Sequence, residues 1–230
     1  MDRQRVTLIS VFIIILLGLC GWMVYSGVIK TRSMYVAGAP PSDLVNAVLP
    51  QTVDLNQMRP PAPRTTDFMR YGGVTSSASV IMFGDYNCAD CKKLESSLRQ
   101  VLPKYNGAVR YIWRDLPQSQ GKYDIDAAIY AYCAGMQNRF WETHDALMIL
   151  SPNLDDFALN DLTVRLKLDS NALASCRMDP KVKATIQYDA MVAGGDGVTS
   201  TPILFIGTQA SKGYLPADEV DKRIKLFLGS

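Results

Sequence analysis

Apolar and polar positions predict a strand, a helix and a second strand in close succession near the middle of the chain. An apolar run covers residues 80–84, apolar residues recur with helical spacing over residues 94–102, and residues 108–114 alternate as a strand. This order is typical of two parallel strands joined by a crossover helix.

Helical patterns dominate the chain after this unit until the sheet resumes. They cover residues 124–137, 139–150, 154–166, 170–176 and 180–193. A strand is predicted at 202–206, with a turn at Gly207, a hairpin partner at 210–214 and a final helix over 216–228. The patterns therefore predict a small α/β sandwich, interrupted by a helical insertion at about residues 118–180.

The N-terminal region has a different character. Residues 6–28 contain no charged side chain, and about 20 apolar residues suffice to cross a bilayer. We expect a single-pass anchor in the inner membrane, with a cytoplasmic tail at 1–5 and the remainder on the periplasmic or extracellular side. A cleaved signal peptide is the alternative, but its apolar region is usually only about 7–15 residues long.

Prolines are concentrated between this anchor and the predicted domain. Residues 29–73 hold six of the twelve prolines in the chain, a composition typical of an extended tether. An N-terminal arm packed on the domain is the alternative. The predicted domain itself covers residues 74–230.

The candidate chemistry lies where the first strand meets the first helix, in the run Cys88-Ala89-Asp90-Cys91. Unpaired N–H groups and the helix dipole at a helix N-terminus favour the thiolate form of Cys88. Cys91 follows one turn later, close enough to form a disulfide with Cys88 or to resolve a mixed disulfide.

Half of a zinc site can have the same spacing, but zinc would need two further ligands. The chain has one histidine, His144, and Cys20, Cys133 and Cys176 form no second close pair. We therefore expect no metal. A purely structural role for the pair is disfavoured because so short a loop constrains the unfolded chain very little.

Composition narrows the possible partners. Apolar residues make up 48% of the chain and the net charge is +2. No basic stripe interleaved with aromatic residues is visible, so nucleic acid is not an expected partner. No nucleotide or organic cofactor is expected either, since a cysteine pair carries the electrons itself.

Three motifs, at residues 83–91, 127–147 and 197–202, together resemble the DsbA family of thiol:disulfide oxidoreductases. The resemblance covers about residues 74–228 and implies a thioredoxin-like fold with an inserted α-helical domain. It implies that Cys88 is the nucleophile and Cys91 the resolving cysteine.

The resemblance also implies that Thr201 and Pro202 form a cis-proline loop. This loop would lie against the cysteine pair and offer backbone groups to an extended substrate peptide. An X–Pro bond has a much smaller cis penalty than other peptide bonds. Without the other motifs, Pro202 would be read as the start of an edge strand.

Two residues depart from the family pattern. The sixth position before the first cysteine is commonly a buried acid that manages the proton of the resolving cysteine, and here it is Met82. That role is vacant or has moved. Asp90 stands where strongly oxidising members have histidine, and its charge should oppose the Cys88 thiolate. Asp90 could instead relay the proton of Cys91, or be a solvated acid at the helix start.

The resemblance extends to Phe140, Trp141 and His144, where core packing is the favoured interpretation over catalysis. Some relatives carry a second disulfide in the helical region. A bridge between Cys133 and Cys176 is therefore favoured here, and two free buried thiols are the alternative.

The function implied is that of a membrane-anchored extracytoplasmic thiol:disulfide oxidoreductase acting on Cys-containing proteins. Oxidative folding is favoured, with a membrane quinone-linked oxidase as the redox partner. The alternatives are a reductase or isomerase served by an electron donor, and a redox-inactive assembly module of a secretion or conjugation apparatus.

Overall fold

A five-stranded mixed sheet with the order β1-β3-β2-β4-β5 forms the centre of the domain. The structure is a computed structural model, and it describes residues 55–118 and 122–229. The strands are β1 (Met69–Arg70), β2 (Ala78–Gly84), β3 (Val109–Asp115), β4 (Ile203–Ile206) and β5 (Gln209–Lys212). The helices are α1 (Ala89–Val101), α2 (Lys122–Gly135), α3 (Phe140–Leu150), α4 (Asp156–Arg165), α5 (Ser170–Met178), α6 (Pro180–Gly195) and α7 (Ala217–Leu228), with a 3₁₀ turn at Leu102–Tyr105.

The central strands are buried on both faces, which explains why β2 is an almost continuous apolar run. Val80 and Met82 join the core on one face of the sheet, whereas Ile81 and Phe83 join a smaller core on the other face. β2 pairs with β3 in parallel through the α1 crossover, so the predicted strand–helix–strand unit is confirmed.

The topology brings two loops to the same end of the sheet. β4 runs antiparallel to β2, and Phe83 near the end of β2 is paired with Ile203 at the start of β4. The residues after β2, which lead to Cys88, and the residues before β4, which include Pro202, therefore lie at one edge of the fold.

The helical insertion predicted from the patterns is present between β3 and β4. Its helices run from Lys122 to Gly195, so the last of them extends beyond the predicted limit near residue 180. Asp155, Asp169 and Asp179 cap α4, α5 and α6 by accepting hydrogen bonds from backbone N–H groups of the first turn.

The second half of the predicted tether is packed on the domain. Met58 is buried, Phe68 stacks on Phe140 with ring centroids 4.3 Å apart, and β1 pairs with β3. The tether prediction is therefore wrong for residues 55–73, where the packed-arm alternative describes the structure. Apolar side chains in this proline-rich segment and the pairing of β1 with β3 are among the contacts that hold it.

The predicted cytoplasmic tail, the anchor at residues 6–28 and the first part of the tether lie outside the described residues. Across residues 55–118 and 122–229, no helix has the length and apolar character that crossing a membrane requires.

Candidate functional site

The cysteine pair lies at the start of α1. Cys88 is the N-cap residue of this helix, and it is joined to Cys91 by a disulfide with the two Cα atoms 5.1 Å apart. Cys88 is partly exposed, whereas Cys91 is fully buried. An incoming thiol can therefore reach Cys88 more easily than Cys91.

The helix start provides the stabilising contact that the sequence suggests. The backbone N–H of Cys91 donates a hydrogen bond to the Cys88 sulfur at 3.1 Å. Together with the positive end of the helix dipole, this contact favours negative charge on the Cys88 sulfur when the disulfide is open.

Asp90 lies on the exposed side of α1 and pairs with Lys93 one turn later, with Nζ 2.9 Å from Oδ1. Its side chain is 53% exposed. The structure thus places this carboxylate at the surface, whereas Cys91 faces the core.

Thr201 and Pro202 precede β4, and the bond between them is cis. Pro202 is buried and Thr201 is partly exposed. The Pro202 carbonyl accepts a hydrogen bond from the Gly213 N–H at 2.9 Å. This residue pair and the cysteine pair adjoin the same end of the β2–β4 ladder.

An open cleft of about 400 Å³ lies next to the cysteine pair. Its lining residues come from the exposed side of α1 and from the end of α3: Ala89, Lys92, Lys93, Ser96, Ser151 and Pro152. Lys92 fixes one wall, because its Nζ donates to the carbonyls of Ile149 and Ser151, each at 2.8 Å.

The core beneath α1 contains a carboxylate, Glu95, that the sequence patterns did not identify as a site residue. Glu95 on α1 is 1% exposed. The Tyr111 hydroxyl donates to Glu95 Oε1 and lies 3.6 Å from the Met82 sulfur. A buried acid is therefore linked to the Met82 side chain through the Tyr111 hydroxyl, although position 82 itself is not acidic.

His144 is fully buried among aromatic rings, in agreement with the core-packing interpretation. Its Nδ1 lies 3.0 Å from the Tyr86 hydroxyl, and its Nε2 lies 3.3 Å from Glu95 Oε1. Burial raises the pKa of both Tyr86 and Tyr111 well above the ordinary value, so both phenols keep their protons and can donate.

Two further carboxyl groups lie near the β2–α1 loop. Asp85 accepts hydrogen bonds from the backbone N–H groups of Asn87 and Gln118, each at 2.8 Å, which holds the loop before Cys88. Burial raises the pKa of Asp115 to about 7, although a hydrogen bond from Trp113 Nε1 at 2.7 Å opposes this shift.

Cys133 on α2 and Cys176 on α5 are joined by a disulfide in the structure, with Cα atoms 5.8 Å apart. It lies within the helical insertion, away from the start of α1. In the part of the chain that the structure describes, no group of three or more His, Cys, Asp or Glu residues could hold a metal ion.

The model of the thioredoxin family matches residues 64–225. The chain belongs to this thioredoxin family. The match begins in the packed arm and ends in α7, so it includes the whole sheet.

Solved structures share this fold. The thiol-disulfide exchange protein α-DsbA2 from Wolbachia pipientis is 23% identical, with a TM-score of 0.64 over 71% of this chain and 88% of that protein. A periplasmic thioredoxin-like protein from Salmonella enterica serovar Typhimurium is 24% identical, with a TM-score of 0.62 over 84% of this chain and 100% of that protein. These likenesses confirm the thioredoxin-like α/β fold with a helical insertion.

Among curated proteins, the chain is similar to Na⁺/H⁺ antiporter NhaA 1 of Salinispora arenicola. The two are 29% identical over 178 residues, which cover 77% of this chain and 27% of the antiporter. The chain thus spans about a quarter of the length of the curated relatives that it matches.

Proposed function

We propose that this protein is a thiol:disulfide oxidoreductase that exchanges disulfides with Cys-containing proteins through Cys88 and Cys91. The observation that carries the proposal is the asymmetry of the pair. Cys88 is partly exposed at the N-cap of α1, and its sulfur accepts a hydrogen bond from the backbone N–H of Cys91. The side chain of Cys91 is buried.

In the oxidising direction, a substrate thiolate attacks the Cys88 sulfur and the Cys88–Cys91 bond breaks. Its electron pair goes to Cys91, which takes up a proton, and substrate and Cys88 form a mixed disulfide. A second substrate thiolate then attacks the substrate sulfur of that mixed disulfide and releases Cys88 as the thiolate. The substrate is oxidised by two electrons and the cysteine pair is reduced by two.

The surface around Cys88 suits an extended peptide. The Thr201–Pro202 segment adjoins the same end of the sheet, and the cleft beside Ala89 is mostly apolar. We infer that the substrate chain passes between these two features, with its cysteine opposite Cys88.

We further propose that the protein works outside the cytoplasm, held by the anchor predicted at residues 6–28. Stable disulfides belong to oxidising compartments, and one similar structure is of a periplasmic protein. The match covers only about a quarter of the length of the antiporters, so it gives no ground for a transport activity.

The favoured direction is oxidation of substrate thiols, because the helix start stabilises the reduced form of Cys88. A quinone-linked membrane oxidase would then reoxidise the cysteine pair. The charge of Asp90 favours the alternative, a reductase or isomerase. The ion pair with Lys93 offsets part of that charge.

The test is insulin reduction by the full chain, compared with a Cys88→Ala variant. A double variant with Cys133→Ala and Cys176→Ala is the matched control, since it removes the other disulfide. We expect activity in the wild type and the control and none in Cys88→Ala. Unchanged rates in Cys88→Ala would contradict the exchange function and favour a redox-inactive assembly module.

The direction of disulfide exchange is tested by the reduction potential of the Cys88–Cys91 couple, which is measured by equilibrating the protein with glutathione. A potential near roughly −120 mV would support oxidation of substrates, whereas one near roughly −270 mV would support reduction.

A further inference from the structure

The residue after the cysteine pair connects two parts of the fold. Lys92 follows Cys91 on α1, and its Nζ donates hydrogen bonds to the carbonyl oxygens of Ile149 and Ser151, each at 2.8 Å. Ile149 lies in the last turn of α3, and Ser151 is the C-cap residue of that helix. Lys92 therefore joins the helix that carries the cysteines to the helical insertion.

The chemistry of a helix end favours this contact. The last carbonyl groups of a helix have no partner within the helix, and the helix dipole places partial negative charge there. An ammonium group, which has several N–H donors, suits both features. Residues 147–150, which form the last turn of α3, include no basic side chain, so the cation is supplied by α1.

The bridge made by Lys92 lies in the wall of the cleft beside the cysteine pair. Ala89, which directly follows Cys88, lines one side of this cleft, and Ser151 and Pro152 line the other side. Because Lys92 binds the carbonyl of Ser151 itself, it holds the far wall of the cleft against the helix that carries the reactive sulfur.

A second contact joins α1 to α3, but it lies away from the cleft. Arg99 Nη1 is 3.8 Å from Asp145 Oδ1, and Asp145 is engaged more closely by Arg70 at 2.8 Å. Arg99 follows Lys92 by about two helical turns, and Asp145 lies near the middle of α3. The two hydrogen bonds of Lys92, in contrast, act on the end of α3 that borders the cleft.

We propose that Lys92 is a positioning residue for protein substrates. The inference rests on the proposed exchange function and concerns how a substrate chain reaches Cys88. By holding the end of α3, Lys92 keeps the cleft in a shape that accepts the substrate chain on one side of its cysteine. It takes no part in the electron transfer between sulfur atoms. A thiol too small to extend beyond Cys88 gains nothing from this contact.

Lys93 offers a matched comparison on the same helix. It carries the same charge as Lys92 and lines the same cleft, but its Nζ pairs with Asp90, on α1 itself, at 2.9 Å. Removing the Lys93 ammonium therefore changes the charge near the cysteine pair without releasing α3. Removing the Lys92 ammonium does both.

The experiment compares a large and a small substrate of the oxidised full chain. The large substrate is a reduced dithiol peptide, whose oxidation is followed at steady state with glutathione disulfide as the oxidant that regenerates the cysteine pair. The small substrate is dithiothreitol, whose reaction with the Cys88–Cys91 disulfide is followed in a single turnover. Lys92→Met, Lys92→Arg and Lys93→Met are measured beside the wild type.

We expect Lys92→Met to raise the KM for the peptide on the order of tenfold above that of Lys93→Met, as for the loss of one hydrogen bond to a charged group. The kcat with the peptide and the rate with dithiothreitol should be equal in these two variants. A rise in KM at constant kcat marks lost substrate binding. Lys92→Arg should keep a KM near that of the wild type, because its guanidinium can donate to both carbonyls.

Equal KM values in Lys92→Met and Lys93→Met would overturn this role of Lys92. An equal loss of rate with the peptide and with dithiothreitol would also overturn it, because the effect would then act on the cysteine pair itself. If Lys92→Met does not fold, Lys92→Gln takes its place, since its amide ends one atom short of the ammonium, and the same outcomes apply. The exchange function is judged separately, by peptide oxidation in the wild type and its loss in Cys88→Ala.

Discussion

Asp90 and Lys93 form an ion pair on the exposed side of α1, with Lys93 Nζ 2.9 Å from Asp90 Oδ1. Asp90 is the second of the two residues between the cysteines, so its charge lies beside the sulfur that a thiolate-based reaction needs. The pair with Lys93 places a compensating positive charge one helical turn further along.

Substituting Asp90→Asn should raise the reduction potential of the Cys88–Cys91 couple. Removing a negative charge stabilises the Cys88 thiolate and hence the reduced state. Exposed charge pairs are worth about 0.2–1 kcal/mol, which corresponds to a rise of roughly 5–20 mV for a two-electron couple. Equilibration with glutathione measures it.

Asp161→Asn is the matched control for this prediction, since Asp161 also forms an exposed ion pair on a helix, with Arg165 at 2.8 Å. Its side chain is 50% exposed, against 53% for Asp90. Equal shifts in both variants would show that Asp90 does not act on the cysteine pair, and a fall in Asp90→Asn would contradict the expected direction of its effect.

The elements of this fold were largely predictable because their signals are local. The apolar run of β2, the helical spacing after Cys91 and the hairpin at Gly207 each depend on a few neighbouring residues. β1 was missed for the opposite reason. It has two residues, and its pairing with β3 joins Met69 to Ile112, a contact between distant parts of the chain.

The sequence spacing around Glu95 indicates that this acid is buried. Cys91, Glu95, Leu98 and Leu102 recur at intervals of four, three and four residues, which places them on one helix face. All four are buried. A charged residue on an apolar face is the pattern that marks a buried acid, but its partners Tyr111 and His144 come from other elements and could not be predicted from spacing.

Arg114 on β3 provides the next prediction, because it joins the packed arm to the insertion. Its guanidinium lies 2.8 Å from Asp67 in the arm and 3.3 Å from Asp189 on α6, and the side chain is 4% exposed. Arg114→Met leaves two buried carboxylates without this cation, so it should lower the free energy of unfolding by about 3–5 kcal/mol.

Urea unfolding measures this loss, and limited proteolysis should show faster cleavage in residues 59–67. Arg165→Met is the control, since the Arg165 side chain is 54% exposed and its removal should cost less than about 1 kcal/mol. Similar losses in the two variants would show that Arg114 does not hold the arm.

The disulfide between Cys133 and Cys176 should stabilise the domain without taking part in exchange. It closes a segment with a sequence separation of 43 residues, for which the chain-entropy model gives roughly 3–4 kcal/mol. The double variant Cys133→Ala, Cys176→Ala should lose about that much in urea unfolding and keep its insulin reduction rate. A loss of activity in the folded variant would contradict this separation of roles.

The raised pKa of Asp115 predicts how the free energy of unfolding depends on pH. Its pKa is raised to about 7 in the folded protein because it is buried, whereas an unfolded aspartate has a pKa of about 3.9. The folded state therefore binds the proton more tightly. The stability that this contributes is fully present below about pH 4 and is lost as pH rises through 7.

Asp115→Asn removes this dependence, because an amide stays neutral and its oxygen can still accept the hydrogen bond from Trp113 Nε1. Relative to wild type, the variant should gain on the order of 2–4 kcal/mol at pH 8 and almost nothing near pH 4. Urea unfolding at several pH values measures the difference, and Asp161→Asn, at an exposed site, should show no such trend. A constant difference between Asp115→Asn and wild type from pH 4 to 8 would mean that Asp115 is ionised throughout, and that Trp113 and its surroundings tolerate a buried charge at the end of β3.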